Sequence, residues 1–212
     1  ETRVLTCKVR EELIAISLMP APYPPQDLEG PLATSLLWPG DSDLSSVKAH
    51  QAHLLIVMAG PNSDPIGRRL ILTAVTAAAS KSPDVMAVYW PESTQVIHSR
   101  IFRDLAKADT SVEAPPVLIW IDIRLYPNRN GSVGAFTVGL VPLGYLEIEI
   151  PQIRMAAGEL KSWLIDILYY LMANGPILEH GQTIGATPEH QLKITHGPSR
   201  FKERGTVIRL QE

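Results

Sequence analysis

"PVLIWIDIRLYPNRNGSVGAFTVGLVPLGYLEIEI" (116–150) decides the fold class. In its first third Ile119, Ile121, Ile123 and Leu125 point one way, and Trp120, Asp122 and Arg124 the other. A period of two is the mark of a strand with one buried face. "PNRNGS" (127–132) holds an Asn-Gly step, a pair that accepts the positive φ of a tight hairpin turn. "GAFTVGLVPLG" then returns, and "YLEIEI" (145–150) alternates again, with Leu146, Ile148 and Ile150 opposite Glu147 and Glu149. Three such segments predict an antiparallel meander with one buried and one wetter face.

Working outward, "AAGELKSWLIDILYYLMANGP" predicts the main helix, 156–174. Leu160, Leu164, Ile167, Leu168 and Leu171 form its apolar stripe. Asn174 and Gly175 supply a left-handed cap, and Pro176 forbids continuation. "TIGAT", "HQLKITH" and "TVIRL" follow as short strands, with "EHGQ" (179–182) as the turn between. Upstream, "ELIAISLM" (12–19) reads as a strand, and "AHLLIVMAG" (52–60) as a central strand buried on both faces. Asp64 and Pro65 cap a helix whose expected buried face is Ile66, Leu70, Ala74, Ala77 and Ala78. "DVMAVYWPES" (84–93) is the next strand, so strand, helix and strand suggest a βαβ crossover. A short helix is expected over 94–107. Six prolines crowd residues 20–40, which predicts a proline-rich loop over 20–46. The expectation is one α+β domain spanning 1–212, a mixed β-sheet with an antiparallel meander and a βαβ unit, helices packed on the sheet.

Composition narrows the function classes. The chain has 212 residues, 45% hydrophobic and 19% charged, enough for a full core without a metal or disulfide staple. A net charge of −3 argues against a nucleic-acid binder. No apolar run has the length of a membrane span. One cysteine, Cys7, permits a reducing compartment and forms no internal disulfide.

The motifs with catalytic overtones fail on spacing. "GDSDL" (40–44) lacks the last glycine of a nucleophile elbow. "AGPNSDPIGRR" (59–69) lacks the P-loop spacing and places Asp64 where an anion would sit. His180, His190 and His196 match no familiar zinc pattern, and His180 has no partner at chelating or triad spacing; recognition through Glu179 and His180 is the alternative there. No catalytic, cofactor-binding or metal-ligating residue is therefore assigned, and the chain is read as not an enzyme, without cofactor. Pro22 and Pro25 make a PxxP spacing, read as loop, and "SRFKERG" (199–205) is a basic patch, read as solvated. The wetter meander face is the candidate partner-binding surface: Glu147 and Glu149 project together, Asp122 stands nearby, and Trp120 is the aromatic anchor.

Segments spread over 47–199 together resemble a bacterial domain-of-unknown-function family (forty-two sixty-one): "KAHQAHLLIVMAG", "RRLILTAVTAAASKSPDVMAVYWPES", "LYPNRNGSVGAFTVGLVPLGYLEIEI" and "LMANGPILEHGQTIGAT" with "KITHGPS". The first 46 residues show no such likeness. The resemblance implies no catalytic residues. It implies an immunity protein that binds and neutralises a cognate type VI secretion toxin in the cytoplasm, the toxin being a restriction-endonuclease-like DNase. Under that reading the acidic patch would occupy the toxin's basic DNA groove. Two alternatives stay open: an adaptor or chaperone for a secreted effector, and a small-molecule-binding or enzymatic domain with its site near Gly60–Asp64 and Trp90–Ser93, at the ends of the buried strands. Oligomeric state is not legible at this stage.

Overall fold

A computed structural model describes residues 4–39, 44–61, 64–107, 114–187, 190–201 and 204–211. The chain gathers into two compact units, Glu1–Ser111 and Val112–Glu212. The α+β class is as expected.

The N-terminal unit opens with a hairpin that sequence reading half missed, β1 (Val4–Val9) and β2 (Glu12–Met19), with Arg10 at φ 54° in its turn. β3 (His53–Ala59) completes a three-stranded antiparallel sheet in the order β1-β2-β3. β3 is therefore an edge strand, not the expected central one. Its apolar run misled because continuous hydrophobicity does not tell a central strand from a partly exposed edge strand. The proline-rich stretch is not all loop: it contains α1 (Pro25–Thr34) and the single turn α2 (Ser45–Lys48). Pro25 begins α1, where a missing N–H costs nothing. Leu28 and Leu32, four apart, fill one buried stripe with Val47 and Val96.

α3 (Pro65–Ala79) starts as expected, with the Asp64 carboxylate accepting the Gly67 N–H at 2.9 Å. Its buried face is Gly67, Thr73 and Thr76, not the alanine face expected; Ala74 and Ala78 are exposed. β4 (Ala87–Trp90) pairs antiparallel with β5 (Gln95–His98), and α4 (Ser99–Lys107) follows. Residues 95–98 are thus strand where helix was expected. β3 and β4 lie in different sheets, so the expected crossover between them is not formed. "GDSDL" lies almost wholly outside the described residues, and PxxP ends in the first residue of α1.

The C-terminal unit is built on one six-stranded mixed sheet, ordered β6-β7-β8-β11-β10-β9. A single turn, α5 (Val117–Trp120), precedes β6 (Asp122–Pro127), β7 (Val133–Val138) and β8 (Ile148–Ile153). These three strands are the expected antiparallel meander. Gly131 takes φ +78° in its hairpin turn, and the Asn128 N–H donates to Ser132 O at 2.9 Å. α6 (Ala157–Asn174) buries the expected stripe, with Met172 added, and packs against α5 and β6. Gly175 at φ +83° ends it. β9 (Thr183–Thr187), β10 (His190–Pro198) and β11 (Thr206–Gln211) form a second meander. The two meanders join where β11 runs parallel to β8. Since β9 and β11 are both antiparallel to β10, β8 and β9 also run parallel. A β–α–β connection therefore exists, through α6 rather than α3.

Candidate functional site

The four residues expected to contact a partner are all buried: Trp120 is 1% exposed, Asp122 6%, Glu147 7% and Glu149 1%. The expected exposed acidic patch is not formed. The strand begins later than the alternation implied, so Trp120 belongs to α5 and Glu147 precedes β8. The Glu147 carboxylate accepts the N–H groups of Gly139 (2.8 Å), Leu140 (2.9 Å) and Val141 (3.3 Å), and the Thr137 hydroxyl at 2.6 Å. Four donors on one carboxylate replace its water. Asp122 pairs with Arg124 at 2.7 Å. Burial nevertheless raises the Asp122 carboxyl above its usual range, against the opposing hydrogen bond and charge of Arg124 and the charges of Lys161 and Arg204.

What covers the acids is the basic segment read as a solvated loop. Ser199 Oγ and the Arg200 N–H both donate to Glu149. Arg204 donates to Thr137 O at 3.1 Å and lies 4.2 Å over the Phe136 ring. Phe201 packs on the same ring, at 4.6 Å between centroids. Burial draws the Arg204 guanidinium down from its usual range, while Glu147, Glu149 and Asp122 oppose that shift. Ser199, Arg200, Phe201 and Arg204 thus fold back on the meander, with the positive charge of Arg204 near the buried acids. The strand register puts Arg124, Phe136 and Glu149 in one row across β6, β7 and β8.

Two histidines come together against expectation. The His196 N–H donates to His180 Nδ1 at 3.0 Å, and the rings meet edge-on at 6.0 Å. The 178–182 turn folds against β10, a tertiary contact that sequence spacing does not reveal. His196 Nε2 lies 2.8 Å from Leu178 O, so both histidines serve to fasten this turn. The His190 side chain lies outside the described residues. Among the described residues no group of three His, Cys, Asp or Glu is placed to hold a metal ion, and no helix is long and apolar enough to cross a membrane.

The open surface is on the N-terminal sheet. Pairing places Val4, Ser17 and Leu55 in one row, Thr6, Ala15 and Val57 in the next, and Lys8, Leu13 and Ala59 in a third. These rows share one face. On it Val4 is 56% exposed, Leu13 52%, and Leu55 and Val57 47% each. The other face carries the buried Ile14. A cavity of about 580 Å³ lies beside β3, lined by Leu54, Leu55 and Ile56 of that strand, Leu72 of α3, and Val88 and Tyr89 of β4. Gly60 and Pro61 do not line it. Instead, Arg68 meets the buried Glu12 at 2.7 Å and donates to Pro61 O at 2.9 Å. A Cβ at Gly60 would fall 2.3 Å from the Glu12 carboxylate, so glycine permits this ion pair. At the other expected lip, Trp90, Pro91 and Glu92 do line the cavity, and Glu92 pairs with Arg69. Sequence reading missed Leu55 and Val57 because it read their strand as buried on both faces, Val4 because it read no strand there, and Leu13 because β1 and β3 set the exposed face of its strand.

These features define an α+β chain whose C-terminal unit buries Asp122, Glu147 and Glu149 with internal partners and whose N-terminal unit leaves an apolar sheet face exposed. Residues 136–211 match the family described as Domain of unknown function (DUF4261), a span from β7 through β11. No curated protein and no solved structure matches the chain.

Proposed function

We propose that the chain is a non-enzymatic immunity protein that binds one cognate type VI secretion toxin in the cytoplasm and neutralises it, the toxin being a nuclease. The supporting observation is the open apolar face of the N-terminal sheet, with Val4, Leu13, Leu55 and Val57 about half exposed together. A contiguous apolar patch marks a surface for another protein. Covering four half-exposed aliphatic side chains contributes about 1 kcal/mol each. That is an anchor, and polar contacts around it must supply the rest of the affinity against the entropy of association. The toxin class rests on the family resemblance. The contact moves from the acidic residues, which are occupied internally, to this sheet.

Co-expression with the toxin encoded beside this chain tests the proposal. Cell survival and co-purification of the two proteins are expected. Survival without a complex would contradict direct neutralisation, and a complex without survival would indicate an adaptor for a secreted effector.

A further inference from the structure

We propose that the cavity beside β3 is a binding site for a neutral, ring-bearing small molecule with a carbonyl oxygen, and that the Trp90 indole N–H donates to that oxygen. The inference is independent of the toxin reading, which uses the open sheet face. Of Val4, Leu13, Leu55 and Val57, only Leu55 also lines the cavity.

The space has the size of a ligand and belongs to one unit. Its volume of about 580 Å³ falls within the roughly 300–1,000 Å³ of small-molecule sites. Its lining residues run from Leu18 to Val96, all in the N-terminal unit. Successive residues of β3 form one wall and successive residues of β4 another. Leu28, Val47 and Val96, which the unit buries together, also line it, so the cavity reaches the interior. The wall is mostly apolar, and aromatic rings meet in it. Tyr23 stands edge-on to His53 at 5.5 Å and to Tyr89 at 5.4 Å. Such rings favour a flat, ring-bearing guest.

The charge of the guest follows from what the wall lacks. Among the described lining residues there is no Lys and no Arg. Arg103 donates to the Ser80 carbonyl and Arg69 pairs with Glu92, but neither lines the cavity. His50 adds no charge: its Nε2 accepts the Tyr23 N–H at 2.7 Å, and its Nδ1 lies 2.6 Å from Val47 O. The acids on the wall are Asp84 and Glu92. An anionic guest would be desolvated there without a cation to meet it. The hydrogen-bonding group follows from Trp90, which lines the cavity and is 3% exposed. Its indole N–H is buried with no acceptor in the structure, although buried donors are normally paired. Phe102, packed on the Trp90 ring at 6.0 Å, offers no acceptor. A carbonyl oxygen on the guest supplies one.

Three naphthalene dyes, titrated into the whole chain and followed by fluorescence, test the site. Prodan is neutral and carries a ketone. N-phenyl-1-naphthylamine is neutral without a carbonyl, and 8-anilino-1-naphthalenesulfonate adds a negative charge to that second ring system. Prodan and the neutral amine are expected to bind saturably, and the sulfonate at least about tenfold more weakly than the amine. Trp90→Phe keeps a ring and removes the N–H. It should weaken Prodan by about fivefold and leave the amine unchanged. Ala79→Phe from α3 and Ala87→Phe from β4 each fill part of the cavity, and either should weaken both neutral dyes by about tenfold or more. Absence of saturable Prodan binding, or a sulfonate that binds as well as the amine, would overturn the proposal. So would Prodan affinity that survives both filling variants, which places the dye on the open sheet face instead. Equal loss of Prodan and the amine in Trp90→Phe would contradict the hydrogen bond.

Discussion

Glu147 shows how a residue can look like a surface contact and act as an internal cap. Its carboxylate collects three backbone N–H groups and a hydroxyl at the end of β7. Removing it leaves those donors buried without an acceptor, so Glu147→Ala should lower unfolding free energy by about 3–5 kcal/mol in a denaturant titration. Reversing both Glu147 and Glu149 to lysine should accordingly prevent folding rather than retune a partner. Asp122 gives a pH signature. Its folded-state carboxyl takes up a proton at higher pH than the usual value of 3.8, so the ionised form is held at a cost. That cost is full above the folded pKa and is relieved as the pH falls towards the unfolded value. Asp122→Asn lacks this relief. Its Tm relative to wild type should therefore become progressively lower between neutral pH and about pH 4. Identities and spacing showed these acids as a cluster; what they could not show was Ser199, Arg200 and Arg204 folding over them, contacts distant in the chain.

Among the elements, α6 was legible because its stripe, cap and stop signal agree: Leu160, Leu164, Ile167, Leu168 and Leu171 repeat at helical spacing and end at Gly175–Pro176. The β6–β8 meander was legible from alternation and from Asn130–Gly131. α1 was not, because proline count outweighed proline position. Pro25 is harmless at the first turn, but Pro31 sits inside the helix and lacks the N–H that would reach Asp27 O. Pro31→Ala should extend the hydrogen-bond ladder and raise stability by about 1–3 kcal/mol, measured as a shift in the denaturant midpoint. β3 and α3 were recognised as elements but misplaced in the sheet and in rotation. An apolar run or an alanine-rich helix does not say which neighbour it meets; strand pairing and the buried Thr73 and Thr76 decide that in three dimensions.

Across the whole chain the two units differ in how completely they cover apolar surface. Of the large exposed apolar residues, Val141, Tyr169 and Tyr170 belong to the C-terminal unit, while Val4, Leu5, Leu13, Leu18, Leu36, Leu54, Leu55 and Val57 belong to the N-terminal one. The family match lies in the well-covered unit, so the open sheet falls outside the matched span. Sequence reading placed a partner surface on Trp120, Asp122, Glu147 and Glu149, which the fold buries, and did not reveal the exposed face of the N-terminal sheet, because the same apolar residues suit a covered strand and an uncovered one. The proposal that the N-terminal sheet binds the toxin is tested most directly by calorimetric affinity for the neighbouring toxin of three proteins: the wild type, Leu13→Asp on the open face, and Tyr169→Asp on α6. Leu13→Asp should weaken binding by about 100-fold or more while Tyr169→Asp stays within about threefold of wild type. An unchanged affinity for Leu13→Asp, with the loss falling on Tyr169→Asp, would contradict it.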